Sequence, residues 1–175
     1  ERIGDFNAGL LWKKRNGGEI DQIENLIAGL KEHPDWRRHM VTAWNPEDVD
    51  NVFVAPCHGI FKCFAVNGEL SLHMFQRSAD VFLGVPYNIA SYSLLLMMIA
   101  QVTGMKPKEF IHTTSDTHIY NNHFDQAQEQ LTRTPKSFPT VTLNPNITNI
   151  FDFKYDDFTL HNYEADPSIK APIAI

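Results

Sequence analysis

The strongest constraint on the fold is an Asn-Gly dipeptide that separates two strand-like runs. Residues 59–66 and 69–77 are rich in aliphatic and aromatic side chains, and Asn67-Gly68 lies between them. Asn-Gly in this position predicts a β-hairpin, because both residues tolerate the positive φ angles of a type I′ turn. The second run alternates between two faces, as a strand does. One face carries Leu70, Leu72 and Met74. The centre of the chain is therefore predicted to be an antiparallel hairpin.

Helical and further strand patterns surround this hairpin. Apolar residues recur at spacings of three and four over 20–30, which predicts an amphipathic helix. The stretch 88–102 is apolar on all sides, which predicts a helix that is buried all round. A further helix is expected near 122–131, irregular structure over 1–18, and short strands over 38–44, 109–114, 140–143 and 158–160. Residues 1–175 are thus predicted to form one α+β domain, a mixed β-sheet with a central buried helix.

Composition narrows the class of function. The chain has 175 residues, of which 43% are hydrophobic and 21% charged, as in an ordinary globular protein rather than a disordered one. Its 15 Lys and Arg against 21 Asp and Glu give a formal net charge of −6. A broad nucleic-acid surface needs clustered positive charge, so nucleic acid is not expected as a partner. A local basic site for one small phosphate remains open.

Cysteine use and targeting signals bear on the compartment. Two cysteines are too few for a disulfide framework or a four-thiolate zinc site, so a reducing, cytoplasmic location is expected. No signal peptide is visible at the start of the chain. The uncharged run 81–105 is interrupted by Gly84, Pro86 and Gln101, so no membrane span is expected. A metal site is not expected either, because His118 and His123 lie beside poor zinc ligands and without a zinc-binding motif.

Two segments carry candidate reactive and anion-binding groups. Cys57, in Ala-Pro-Cys-His-Gly at the entry to a strand, is either a buried thiol that behaves as a small hydrophobe or a nucleophile. Arg77-Ser78-x-Asp80 ends the second strand of the hairpin, where ligand-binding groups are common. An Arg beside a Ser suits a phosphate or a carboxylate. The alternative is a surface ion pair between Arg77 and Asp80.

Three further groups have two interpretations each. Asn88 begins the apolar helix, so it is either an N-cap or an amide that reads a pyrimidine edge. Arg37 and Arg38 would point to opposite faces of a strand, so taken alone they are a solvated charge pair. His118 and Tyr120 are two residues apart, so on an extended segment their rings share a face and suit a hydroxyl group better than a metal.

Taken in order, these motifs resemble folate-dependent thymidylate synthase over about residues 20–175. The residues that carry the resemblance are Arg37-Arg38 to Trp44-Asn45-Pro46, Pro56-Cys57-His58, Gln76-Arg77-Ser78-x-Asp80, the run from Leu83 to Tyr92, Asp116-x-His118-Ile119-Tyr120, and the terminus from Ile169 to Ile175. The resemblance implies reductive methylation of dUMP to dTMP, with methylene-tetrahydrofolate as co-substrate and no metal.

The resemblance assigns roles to the catalytic and phosphate-binding groups. Cys57 would attack C6 of the pyrimidine, and His58 would support a proton-transfer water network. Arg77 would hold the phosphate and favour the Cys57 thiolate, and Ser78 would add a hydrogen bond to the phosphate. In a sheet-to-sheet homodimer, Arg37 and Arg38 would reach the phosphate from the second subunit.

Further roles concern the base, the sugar and the folate. Asn88 would pair with the uracil edge, whereas the related dCMP hydroxymethylases carry an Asp there. His118 and Tyr120 would bind the deoxyribose hydroxyl. Asp80 is assigned to both the dUMP and the folate side of the site. The other expected folate contacts are Leu83, Gly84, Tyr87 (where the family usually has Phe), Ala174 and Ile175.

One departure from the family pattern leaves alternatives open. No stretch of 1–175 matches the family's upstream third, which carries a glutamate that manages protons at the pyrimidine. The chain is therefore expected to correspond to the carboxyl-terminal two thirds of a synthase and to be nearly inactive alone, since losing a general acid or base costs about 10²–10⁴ in rate. The alternatives are a pyrimidine-nucleotide hydroxymethylase and an inactive nucleotide-binding fragment.

Overall fold

The computed structural model describes residues 11–13, 19–46 and 49–173. In chain order its strands and α-helices are β1 (Leu11–Lys13), β2 (Glu19–Asp21), α1 (Gln22–Glu32), β3 (Met40–Thr42), β4 (Ile60–Val66), β5 (Glu69–Asp80), α2 (Gly84–Thr103), β6 (Lys106–His118), α3 (Phe124–Leu131), β7 (Thr140–Leu143) and β8 (Phe158–His161). Short 3₁₀ turns lie at Val49–Asn51, Asn121–His123, Ile150–Asp152 and Tyr155–Asp157.

A four-stranded mixed sheet forms the centre of the molecule. Its strand order is β3-β4-β5-β6, with antiparallel pairing up to β5 and parallel pairing between β5 and β6. Helix α2 supplies the crossover that two parallel neighbours need. Two smaller antiparallel pairs, β1-β2 and β7-β8, lie outside this sheet. The predicted mixed α+β fold is confirmed.

The predicted hairpin is the β4-β5 pair. Asn67 has φ 54° and Gly68 has φ 77°, so both lie in the left-handed region that an Asn-Gly turn uses. Val66 pairs with Glu69 directly across the turn. Because side chains alternate along each strand, the covered face of the sheet carries Val41, Phe61, Cys63, Leu72 and Met74, all of them buried.

Helix α1 forms as its periodicity predicts, although it begins two residues later, at Gln22. The Asp21 carboxylate caps it by accepting hydrogen bonds from the backbone N–H groups of Ile23 and Glu24, at 2.9 and 3.0 Å. The helix ends at Glu32, just before the His33-Pro34 pair that was expected to end it. Ile23, Leu26 and Leu30 are its buried residues.

The strand expected over 38–44 is shorter in the structure, where β3 spans Met40–Thr42, so neither Arg37 nor Arg38 lies on a strand. The preceding segment folds instead around a local stack. The Trp36 ring lies on the His33 ring at 3.8 Å, and the Arg38 guanidinium lies over Trp36 at 3.7 Å. This stack replaces strand pairing, so the two arginines do not alternate across a sheet.

Helix α2 is only partly buried, so the prediction of burial all round is wrong. The sheet covers one side of the helix, where Tyr92, Leu96 and Ile99 are buried. Ile89, on its first half, is exposed. By length and composition alone α2 is the one helix among the described residues that could cross a membrane, yet its buried side packs into the same core as the sheet and α1.

Strand β6 is longer than its apolar stretch predicts. It continues through polar residues to His118, which pairs with Asp80 of β5. Backbone hydrogen bonds hold this extension, and they do not depend on apolar side chains.

Residues 11–13, expected to be irregular, instead pair with β2. The other predicted segments, near α3, β7 and β8, agree with the structure within a few residues.

Candidate active site

The Cys57 thiol lies beside the guanidinium of Arg77. Cys57 sits in the loop before β4, and Arg77 on β5 donates its backbone N–H to the Cys57 carbonyl at 2.9 Å. The side chain of Arg77 donates from Nε to the Pro56 carbonyl at 3.0 Å and from Nη2 to the Ala55 carbonyl at 2.7 Å. Nη2 then lies 3.9 Å from the Cys57 Sγ. The thiol of Cys57 therefore lies next to a guanidinium that three hydrogen bonds hold in place.

The two cysteines have different surroundings. Cys57 is half-buried and near Arg77, so the interpretation of a thiol enclosed in apolar surroundings does not describe it. Cys63 on β4 fits that interpretation, because it is fully buried in the core and burial raises the pKa of its thiol to about 12. Of the two thiols, only Cys57 is both partly exposed and next to a positive charge.

Arg77 and Asp80 do not form the surface ion pair that was one interpretation of this segment. Arg77 donates to the loop before β4, as described above. The Asp80 carboxylate instead accepts from the backbone N–H groups of Phe82, Leu83 and Gly84, at 3.1, 3.4 and 3.3 Å. Phe82 and Leu83 lie in the turn before α2, and Gly84 is the first residue of the helix. Asp80 therefore holds the turn that leads into α2 and satisfies the first N–H group of the helix.

Leu83 and Gly84 lie next to the Asp80 carboxylate for the same reason. A Cβ atom on Gly84 would stand 3.5 Å from the Asp80 Cβ and 3.8 Å from the Asn88 Oδ1. The side chains of Asp80 and Asn88 thus both lie next to Gly84. The start of α2 gathers residues expected on the folate side and on the base side of the site.

Asn88 is not the N-cap of this helix, because α2 begins at Gly84 and Asn88 lies in its second turn. Its Oδ1 accepts a hydrogen bond from the Gln76 Nε2 at 3.0 Å. Gln76, only 2% exposed, also donates from Nε2 to the Ser78 carbonyl at 2.9 Å. The Gln76 Oε1 in turn lies 2.9 Å from the His112 Nε2. The Asn88 amide is therefore held by a chain of hydrogen bonds that runs through the buried Gln76.

His58 is oriented by Tyr92 of α2. The Tyr92 hydroxyl lies 2.9 Å from the His58 Nδ1, and the two rings meet edge to face at 5.3 Å. Burial raises the pKa of Tyr92 well above its usual range, so the phenol keeps its proton. Where the phenol donates to Nδ1, a neutral His58 ring carries its own proton on Nε2.

Sequence reasoning assigned no role to Tyr92, Gln76 or His112. Each joins the site through a partner on a different element, so no local motif contains both members of a pair. The available signal was the presence of polar groups within otherwise apolar runs. A buried amide or hydroxyl needs a hydrogen-bond partner, and that partner here is a site residue.

His118 and Tyr120 meet at the end of β6, as their spacing predicts. Their rings are in edge contact at 5.0 Å, and the His118 Nδ1 lies 3.4 Å from the Asp116 Oδ1. The β5-β6 register places His118 opposite Asp80 and Asp116 opposite Ser78. Ser78, Asp80 and His118 therefore share one end of the two parallel strands.

Some expected site residues are not joined to this cluster. Within the described ranges, no hydrogen bond or ion pair connects Arg37 or Arg38 to Arg77 or Ser78. Tyr87 is 77% exposed on α2. The expected folate contacts Ala174 and Ile175 lie outside the described residues. Among the residues that are described, no group of three His, Cys, Asp or Glu side chains could hold a metal ion.

The fold and site define an α+β protein in which a thiol beside a guanidinium, an oriented His and an oriented amide converge at one end of a mixed sheet. The family model described as thymidylate synthase matches residues 6–175. The chain belongs to the thymidylate synthase family, as its motifs predict. This is a family of methyltransferase-type enzymes of dTMP biosynthesis that use dUMP and folate.

Proposed function

We propose that the chain carries the site of a thymidylate synthase that converts dUMP to dTMP, with methylene-tetrahydrofolate as co-substrate and dihydrofolate as by-product. The observation that supports this most is the position of the Cys57 Sγ, 3.9 Å from the Arg77 Nη2. A thiolate is a strong nucleophile, and covalent addition divides one difficult substitution into easier steps. The pair is held by three hydrogen bonds from Arg77 to residues 55–57.

The proposed reaction begins at C6 of the pyrimidine. The Cys57 thiolate adds to C6, and the electron pair of the C5–C6 bond moves toward C5 and O4. C5 then bonds to the methylene carbon of the co-substrate as the bond from that carbon to the folate N10 breaks, and C5 loses its proton. The bond from the methylene carbon to N5 breaks next, which leaves an exocyclic methylene group on C5 and tetrahydrofolate. Hydride from tetrahydrofolate reduces this group to a methyl group as the thiolate leaves C6, so tetrahydrofolate is oxidised to dihydrofolate. His58, with its proton on Nε2, belongs to the water network that moves protons near the base.

Nucleotide recognition uses groups on both sides of the thiol. Asn88 accepts from uracil N3–H at Oδ1 and donates from Nδ2 to O4. Cytosine reverses both demands and would leave site groups unpaired, at a cost of about 1–3 kcal/mol each. Arg77 and Ser78 hold the phosphate, and His118 with Tyr120 holds the sugar hydroxyl. Folate lies against Asp80, Leu83, Gly84, Tyr87, Ala174 and Ile175, with Asp80 also on the dUMP side.

Arg37 and Arg38 act across a homodimer in this proposal. Both are exposed and separate from the site of their own chain. The face of the sheet opposite the core supports the same arrangement, because it presents exposed apolar side chains. Met40 is 56% exposed and Phe75 is 41% exposed on that face. A second copy packed sheet to sheet would cover them and could deliver the two arginines.

The covalent step can be tested without folate. Thiol addition at C6 makes C5 basic, so reversible addition in D₂O exchanges the C5 hydrogen of dUMP for deuterium. Wild-type chain is expected to incorporate deuterium, and Cys57→Ser is expected to incorporate none. Cys63→Ala is the matched control and retains the exchange. Exchange that persists in Cys57→Ser would contradict the proposal, and dUMP binding without exchange would identify a nucleotide-binding fragment.

The product identifies the second step. The sequence predicts little turnover from residues 1–175 alone, so products are collected over long incubations with dUMP and methylene-tetrahydrofolate. A synthase gives dTMP and dihydrofolate in equal amounts. A hydroxymethylase ends the reaction with water instead of hydride, so its product is one oxygen heavier and no dihydrofolate absorbance develops. That result would replace the methylation with the alternative reaction.

A further inference from the structure

We propose that Gln76 and His112 are positioning residues that fix the orientation of the Asn88 amide and so make the site select uracil over cytosine. The proposal rests on the proposed function, in which Asn88 meets the base. Neither residue touches the base in this arrangement. Their role is to decide which atom of the Asn88 amide is presented at each position.

An Asn side chain alone cannot make this selection. Uracil offers a donor at N3 and an acceptor at O4, whereas cytosine offers an acceptor at N3 and a donor at its amino group. An amide has an oxygen that accepts and an NH₂ group that donates. Rotation of the Asn88 amide by half a turn exchanges these atoms and converts a uracil reader into a cytosine reader. Selectivity therefore requires that one orientation be held.

The fixed point of the chain of hydrogen bonds is the Ser78 backbone carbonyl. A carbonyl oxygen only accepts, so the Gln76 group that lies 2.9 Å from it must be the NH₂ group. The second hydrogen of the same NH₂ group points to Asn88, 3.0 Å away. The Asn88 atom that receives it must be the oxygen. A backbone atom that cannot be reoriented thus sets the orientation of both amides.

His112 occupies the other end of the Gln76 amide. The Gln76 Oε1 only accepts, so His112 carries a proton on the Nε2 that lies 2.9 Å from it. Burial lowers the pKa of His112, which keeps the ring neutral at neutral pH with Nε2 as its protonated atom. If the Gln76 amide were reversed, its oxygen would face the Ser78 carbonyl and its NH₂ group would face the His112 N–H. The bonds to Ser78 and His112 would both be lost, even if Asn88 rotated with Gln76 and kept the bond between the two amides.

Burial prevents water from replacing these bonds. Gln76 is 2% exposed, and its neighbours lie on three different elements: Ser78 on β5, Asn88 on α2 and His112 on β6. The Gln76 amide contacts three polar atoms, and all of them belong to the protein: the Ser78 carbonyl oxygen, the Asn88 Oδ1 and the His112 Nε2. A buried amide that is fully hydrogen-bonded in one orientation and unpaired in the other has a single stable state.

The test compares the affinities for dUMP and dCMP by isothermal titration calorimetry. In Gln76→Leu the Asn88 amide can rotate, so the ratio of the dCMP to the dUMP dissociation constant is expected to fall about tenfold or more. His112→Phe is expected to lower the ratio less, because the Ser78 carbonyl still holds the Gln76 NH₂ group. The matched control is Thr113→Val, next to His112 on β6 but bonded to His73 on the opposite face of the sheet; it keeps the wild-type ratio.

Circular dichroism establishes whether each variant folds. If Gln76→Leu does not fold, Gln76→Met replaces it and is compared with His112→Phe in the same way. If Gln76 and His112 only stabilised the fold, their substitution would weaken the binding of dUMP and of dCMP by the same factor. The ratio of the two dissociation constants would then stay unchanged. An unchanged ratio in variants whose wild-type parent binds dUMP would overturn the positioning role and leave the proposed function intact. Wild-type chain that does not bind dUMP would overturn both.

Discussion

The two thiols of the chain are expected to react at very different rates, because only one is near a charge and solvent. At about pH 8, iodoacetamide should label Cys57 and leave Cys63 unlabelled, since alkylation requires the thiolate. Burial raises the pKa of Cys63 to about 12, far above that pH. Mass spectrometry of proteolytic peptides measures the two sites separately. Label on Cys63 in the folded chain, or equal rates at both sites, would contradict the environments described here.

A second expectation at the residue scale concerns Tyr92. Tyr92→Phe keeps the ring that packs edge to face against Phe61 but removes the hydroxyl that donates to the His58 Nδ1. Loss of one partly buried hydrogen bond should lower the free energy of unfolding by about 0.5–1.5 kcal/mol. Urea unfolding measures this change, and ¹⁵N NMR of the His58 ring measures the loss of a preference for the proton on Nε2.

The control for Tyr92→Phe is Tyr155→Phe, which removes the same hydroxyl from an exposed ring. It should change neither the unfolding free energy nor the His58 spectrum. If Tyr92→Phe left the His58 ¹⁵N shifts as they are in wild type, Tyr92 would not be the residue that sets the His58 tautomer.

At the scale of elements, the start of α2 depends on a residue of the preceding strand. Asp80→Ala removes the carboxylate that accepts from the N–H groups of Phe82, Leu83 and Gly84. Loss of the hydrogen bonds that hold this turn should cost about 0.5–2 kcal/mol of stability, as the loss of a side-chain cap does. Hydrogen exchange at the Leu83 and Gly84 amides should become faster, while the amides in the middle of α2 keep their protection.

Glu164→Ala is a suitable comparison for the cap, because Glu164 is exposed and no hydrogen bond or ion pair involves it in the part of the chain that the structure describes. It should alter neither the unfolding free energy nor exchange in α2. Unchanged exchange at Leu83 and Gly84 in Asp80→Ala would mean that other groups order the first turn.

The elements that could be predicted from sequence are those whose cause is local. The turn at Asn67-Gly68 forms because these two residues themselves tolerate positive φ angles. Helix α1 follows from the spacing of its own apolar residues and from Pro34, which ends it. The burial of α2 and the length of β6 could not be predicted, because they depend on which elements lie beside them. The same division holds within the site. Cys57 and Arg77 stand in motifs of their own, whereas the roles of Gln76 and Tyr92 arise only from contacts across elements.

At the scale of the whole molecule, the central sheet has one covered face and one open face. The covered face packs against α1 and α2. The open face carries Met40, Ile60, Phe64 and Phe75, together with a few polar side chains such as Lys62 and His73, of which His73 bonds to Thr113. Burying such side chains against a second copy would contribute roughly 25 cal/mol for each Å² of apolar surface removed from water.

Phe75→Lys places a charge at the centre of this open face and is expected to separate the proposed homodimer. Burial of an unpaired ammonium against a second sheet is strongly unfavourable, whereas a monomer leaves it in water. Sedimentation equilibrium should give twice the 20.0 kDa chain mass for wild type and a single chain mass for the variant. Phe138→Lys, exposed and outside the sheet, should remain dimeric.

Because Arg37 and Arg38 are proposed to act across the dimer, Phe75→Lys should also bind dUMP more weakly. Arg38→Ala should weaken dUMP binding without changing the sedimenting mass. A wild-type chain that sediments as a monomer with full dUMP affinity would show that the site is complete within one copy.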